Sequence, residues 1–210
     1  ASECALIGDR ACFEASQPDW TERRFWVYLA PGGAKDEASR RRAVARLAAS
    51  SANLAREGTF EGAAAEEAWP LAVEGGSARD VAGAIEPLQE GGGRGARLTV
   101  SPNAPLAWAG RRQLVRGIEP GAAYLYVGQV ATRGVHDGAA ELHAHLKTAA
   151  GALVAEAPYI STGGGLTGDS PWTTLSAWFV APGDCAAVEL HLTMRARGTV
   201  WHDNVALLRV

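Results

Sequence analysis

The chain has 210 residues, 47% of them hydrophobic and 20% charged, with a formal net charge of −3. That composition supports a buried core and excludes a disordered chain. The slightly acidic balance gives no basic field for nucleic acid, and no apolar run reaches the length of a membrane span.

Residues 1–52 read as an N-terminal extension or arm. No secretory leader is visible at Ala1-Ser2-Glu3-Cys4, which is also how a processed secreted protein or an excised fragment would begin. Cys4 and Cys12 are near enough in sequence to close a small disulfide loop in an oxidising compartment; the alternative is three unpaired thiols, counting Cys185 after the Pro182-Gly183-Asp184 turn. The aromatic and β-branched run Phe25–Leu29 predicts a strand that Pro31-Gly32-Gly33 stops. Residues 36–50 predict a short amphipathic helix: Asp36 and Glu37 suit its N-terminus, and Ala43, Val44, Leu47 and Ala48 form its apolar stripe. Arg40, Arg41, Arg42 and Arg46 fall mostly off that stripe, as a solvated face does.

From Asn53 to Val210 the helical period disappears. Short alternating runs stand between Gly- and Pro-rich turns: Ala96–Val100, Gln113–Ile118, Tyr124–Ala131, Glu141–Lys147, Trp172–Val180, Val188–Arg195 and Thr199–Leu208. Many short strands at this spacing predict an all-β antiparallel sandwich. Period-2 alternation assigns the faces. Tyr124, Tyr126, Gly128 and Val130 share one side, and Gln129 lies on the other. Leu142, Ala144 and Leu146 point inward against outward Glu141, His143, His145 and Lys147; Val188, Leu190, Leu192 and Met194 point inward against outward Glu189, His191, Thr193 and Arg195.

A series of motifs in this region resembles the galactose-binding-like jelly rolls of the carbohydrate-binding-module type. Asn53-Leu54 followed by Glu57-Gly58-Thr59-Phe60-Glu61 resembles their opening strand, with Trp69 after it. Gly95–Val100, Gln113–Val115, Pro120-Gly121 before Tyr124, and Trp172–Leu175 with Phe179 and Pro182 are similar to later strands and turns. Gly198-Thr199-Val200-Trp201-His202-Asp203-Asn204-Val205-Ala206-Leu207 resembles the closing strand. The resemblance implies a jelly-roll β-sandwich over 53–210, preceded by an extension with one strand and one helix. It further implies a structural calcium near the first and last strands, held here by Glu61 and Asp203, with Asn204 where a second acid is usual.

Sugars need planar hydrogen-bond partners and an aromatic platform. The candidate ligand-binding residues are Gln129, His143, His145, His191 and Arg195, with Trp108 at the rim. His143-x-His145 with His191 also has the one-face spacing of a transition-metal site, although the sequence shows no acid or cysteine that completes the set. No nucleophile elbow, P-loop, zinc-protease helix or CxxC motif is present in the sequence. The expected function is therefore a non-catalytic carbohydrate-binding-like module, extracellular or on the cell surface, whose partner is a polysaccharide or glycan. Two alternatives stand beside it: a subunit of an extracellular filament, coat or layer that self-associates through the Phe25–Leu29 strand, and a polysaccharide lyase-like enzyme.

Overall fold

The computed structural model describes residues 4–7, 10–13, 27–29, 37–89, 92–105 and 108–210. Strands β1 (Cys4–Ile7), β2 (Arg10–Phe13) and β3 (Val27–Leu29) form a small antiparallel sheet in that order. Of the predicted strand Phe25–Leu29, the described residues Val27–Leu29 pair along one side, with Arg10–Cys12 opposite Leu29–Val27, and stand at the edge of this sheet. The side chains of Cys4 and Cys12, and hence their pairing, lie outside the described residues, whereas Cys185 is a buried free thiol. Helix α1 (Glu37–Ala48) follows, then a short helix α2 (Ala65–Ala68).

The rest of the chain is antiparallel sheet: β4 (Leu71–Glu74), β5 (Val81–Pro87), β6 (Arg94–Val100), β7 (Trp108–Arg116), β8 (Ala123–Lys147), β9 (Tyr159–Ser161), β10 (Leu166–Val180) and β11 (Ala187–Arg209). Strands β8 and β11 are long enough to serve two layers. Their first layer has the order β10-β8-β11-β6-β5, using residues 123–133 of β8 and 198–209 of β11. The second has the order β4-β7-β11-β8-β9, using residues 187–195 and 139–147. Register shifts between Arg195 and Thr199 mark where β11 passes from one to the other, as bulges bend and twist a strand.

The two layers enclose one core. Tyr126, Val130, Leu98, Val200 and Leu207 of the first meet Leu142, Leu146, Val188, Leu190 and Leu192 of the second. Tyr126 Oη crosses the gap and donates to the His191 carbonyl at 3.1 Å. The inward sets assigned by period 2 are buried in these strands, although the outward-assigned Gln129, His191 and Thr193 are buried as well.

The opening motif is not a strand. Residues 53–64 run as turns and coil, because Glu57 and Phe60 both take positive φ (52° and 58°), which a strand excludes. Its residues act as a clasp. Asn53 Nδ2 donates to the carbonyls of Ala48 and Val205, and its Oδ1 accepts from the amides of Ala55 and Leu207, so all its hydrogen-bonding capacity is used. Gly58 is needed because a Cβ there would meet the Val205 carbonyl oxygen at 2.0 Å. Phe60 and Trp69 fill the core behind this clasp, and Trp69 Nε1 donates to the Arg56 carbonyl at 2.9 Å.

Helix α1 covers the outer side of the first layer. Its Val44 and Leu47 pack with Leu125, Val127, Trp178, Ala206 and Leu208 in a second apolar cluster. Burying a Val or Leu side chain contributes about 1.5–3 kcal/mol. Glu37 also accepts from the amide and hydroxyl of Thr174 at 3.0 and 2.8 Å. The helical part of the N-terminal extension is thus a layer of the sandwich, which is why residues 125, 127 and 129, on the side away from the main core, are buried as well.

Candidate functional site

The outer side of the second layer carries the polar residues, and strand register fixes their grid. Leu114, Glu189, His145 and Tyr159 stand in one row across β7, β11, β8 and β9; Arg112, His191, His143 and Ser161 form the next. Gly110, Thr193 and Glu141 follow, and Glu74, Trp108 and Arg195 close the grid. Strands lie about 4.8 Å apart, so the rows bring side chains from four strands within reach of one ligand.

His145 and His191 lie with ring centroids 4.2 Å apart, and His143 is 5.1 Å from His145. The Trp108 indole meets His191 edge-on at 5.2 Å, and Tyr159 meets His145 at 5.0 Å. The two aromatic side chains therefore flank the imidazoles from opposite sides. Glu189 is the polar hub. Its Oε2 lies 3.1 Å from Lys147 Nζ, 3.2 Å from His191 Nε2 and 3.7 Å from His145 Nδ1. At the groove edges Arg112 pairs with Glu74 at 3.3 Å, and Ser161 donates to Glu141 at 2.6 Å.

Burial lowers all three imidazole pKa values. For His143 the nearby Glu141 opposes that effect; for His145 the positive charge of a protonated His143 adds to it. His191 is pushed down to about 4, by burial first and then by His145, against the pull of Glu189. At neutral pH the row is therefore uncharged, and the Glu189–His191 contact is a hydrogen bond rather than an ion pair. Burial alone would raise Glu189, but the Lys147 hydrogen bond and the neighbouring positive charges outweigh it and hold the carboxyl below its ordinary range.

The structure gathers most of the predicted ligand residues and corrects two. His143 and His145 are half-buried on this face, Arg195 is exposed at its edge, and Trp108 opens β7. His191 was expected to face solvent; it shares the face but is only 2% exposed, overlain by its ring neighbours. Gln129 does not belong to this face. It is buried on the first layer, opposite Asp203, where its Oε1 accepts from Asn204 Nδ2 at 2.9 Å. Two residues of the site were missed: Glu189, noted only as outward-facing, and Tyr159, 53% exposed on a strand of three residues.

The calcium candidates do come together. Glu61 and Asp203 line one cleft of about 490 Å³ with Asn204, Gly92, Gly93 and the helix residues Arg41 and Arg42. Burial raises Asp203 to about 7, and Glu61 pushes it the same way. The cleft holds carboxylate oxygens of the kind calcium takes, but Glu61 Oε1 already accepts from the Arg94 amide, Asp203 accepts from Asn204, and two arginines share the lining. Arg41 was expected in a solvated face; instead its guanidinium lies over Trp172 at 4.6 Å and 4.0 Å from Asp203 Oδ2.

Comparison with solved structures returns proteins of related fold at low identity. An enzymatically active domain of tailspike protein 4 from bacteriophage CBA120 is similar at a TM-score of 0.55 and 15% identity, over 76% of this chain and 22% of that one. A Clostridium thermocellum xylanase 10B fragment with its CBM22-1 module aligns at a TM-score of 0.49 and 17% identity, over 72% of this chain and 27% of that one. The CBM22-1 xylan-binding domain of Paenibacillus barcinonensis Xyn10C aligns at 0.48 and 15%, over 75% of this chain and 91% of that one. No protein-family model and no curated protein matches the sequence. At these identities the likeness is one of fold, and the chain spans about a quarter or less of the first two proteins' length. No described helix is long and apolar enough to cross a membrane.

Proposed function

We propose that the chain is a non-catalytic glycan-binding module that takes its ligand on the outer side of the second layer. The observation that carries this reading is the grid itself. Trp108 and Tyr159 flank a row of neutral imidazoles and one carboxylate, all mounted on four hydrogen-bonded strands whose opposite side is the packed core. Aromatic faces suit the C–H side of a pyranose, and imidazole and carboxylate groups suit its hydroxyls. A rigid sheet needs little ordering on binding, which favours affinity. An extracellular or cell-surface setting follows from the same reading, because that is where polysaccharides are met. From the sequence motifs alone we also infer a structural calcium in the Glu61–Asp203 cleft, with the two carboxylates and Asn204 as its protein donors.

The test is affinity electrophoresis through gels containing a panel of soluble polysaccharides, comparing the intact chain with Trp108→Ala and Tyr159→Ala. Retardation by at least one polysaccharide that both substitutions reduce supports the proposal. Equal mobility of all three chains in every gel overturns it.

A further inference from the structure

We propose that His145, Glu189 and His191 form a binding site for a divalent transition metal of the zinc class, set in the floor of the groove. His145 sits on β8 and the other two on β11, and the register places His145 directly opposite Glu189. One ligand atom from each of the three lies within 4.8 Å of the others. That is the spacing of atoms about to share an ion: with metal bonds of about 2.0–2.2 Å, tetrahedral ligands stand roughly 3.3–3.6 Å apart. The Glu189 Oε2 to His191 Nε2 and His145 Nδ1 separations, 3.2 and 3.7 Å, bracket that value.

Two further features favour an ion over a purely structural cluster. Two imidazoles and a carboxylate are the donor types that zinc, cobalt, nickel and copper prefer, and hard-oxygen cations do not share that preference. The ligands stand on adjacent, hydrogen-bonded central strands, so the site is preorganised. The groups that face the cluster are Lys147, His143, Glu141, Arg112 and Glu74. Lys147 is the competitor, because its ammonium holds the same Glu189 oxygen at 3.1 Å and must swing away when an ion enters. The protein supplies three ligands, which leaves the fourth tetrahedral position to water or to an oxygen from the groove's occupant.

The proposal stands apart from glycan binding, since the ion is titrated with no sugar present. The full chain is treated with iodoacetamide, so that accessible thiols take no part, and titrated with Co²⁺, whose visible absorption reports coordination geometry. The expected result is saturable binding of a single ion with the intense bands of a tetrahedral site. Affinity should fall at least tenfold in His145→Ala and in Glu189→Gln, stay unchanged in His136→Ala, and rise in Lys147→Met. Both weakened variants change groups that are partly exposed, and their circular dichroism is recorded to show that they fold. Absence of saturable binding overturns the proposal. So does binding that is insensitive to His145 and Glu189, or that is lost equally with His136, which lies on an exposed stretch of β8 beyond the groove. Failure to bind any polysaccharide alongside a normal Co²⁺ titration would remove the glycan reading and leave the metal site standing, and the reverse pattern would do the opposite.

Discussion

The two outer sides of this sandwich are built from the same two strands and have opposite chemistry. On the first layer, β8 and β11 turn Leu125, Val127, Ala206 and Leu208 outward, and helix α1 closes over them. On the second layer the same strands turn His143, His145, Glu189 and Arg195 outward, and those side chains form the groove. An apolar outer face on a sheet needs a cover, and the N-terminal extension supplies one. A polar outer face needs none, so it remains free to meet a ligand. The contrast separates stability from function: one side holds the molecule together and the other is where its surface chemistry is concentrated.

The largest expected effect breaks the covered side. Leu125→Ala deletes a fully buried side chain beneath the helix and should cost about 2–5 kcal/mol in urea unfolding, with polysaccharide retardation unchanged at temperatures where the variant is folded. On the open side the pattern should invert. Trp108→Ala should weaken glycan binding by about tenfold or more, and His143→Ala should change unfolding free energy by only about 0.5 kcal/mol while reducing binding. If His143→Ala destabilises as much as Leu125→Ala, the division between the two sides is wrong.

Acid should sharpen the same comparison more gently. His202, in the first layer, is held neutral by burial and by the positive charge of Arg111, with its pKa lowered from 6.5 to about 3; His191 is lowered from 6.5 to about 4. Below about 6.5 the unfolded chain takes up protons that the folded chain refuses, so stability is full above that pH and is lost as pH falls towards 4. Asp203 works the other way: its raised pKa gives stability at low pH that is lost as pH rises through about 7. With two imidazoles against one carboxyl, the melting temperature in chelator should fall by about 5 °C between pH 7 and pH 4.5, measured by circular dichroism. A flat or rising profile would contradict the neutral, buried state of both rings.

The smallest effect concerns calcium. Added in excess, it should raise the melting temperature by about 2–4 °C, and more at pH 8 than at pH 5, because Asp203 must ionise to bind it. Asp203→Asn should abolish the calcium increment. An increment that survives in Asp203→Asn would place calcium elsewhere.

The sandwich itself was legible in the sequence because alternation reports the core directly. The inward sets of β8 and β11 and the apolar stripe of α1 all follow from residue type and period alone. What alternation cannot report is what lies over the other side. Gln129 has the outward parity of a ligand residue, yet a helix more than eighty positions earlier in the chain covers its side of the sheet. The opening segment looked like a strand by its motif, but the left-handed backbone at Glu57 and Phe60 is invisible in residue types alone. Glu189 and Tyr159 were missed for a third reason. Their roles depend on which strand lies beside which, and β9 is too short, and too close to Pro158, to announce itself by period.

Strands β8 and β11 run unbroken from beneath the helix to the floor of the groove. A load applied to one layer is therefore passed along covalent backbone into the other. Hydrogen exchange should show the central amides of the two layers opening together, as one cooperative unit. A ligand held in the groove would protect the far side, under the helix, without touching it.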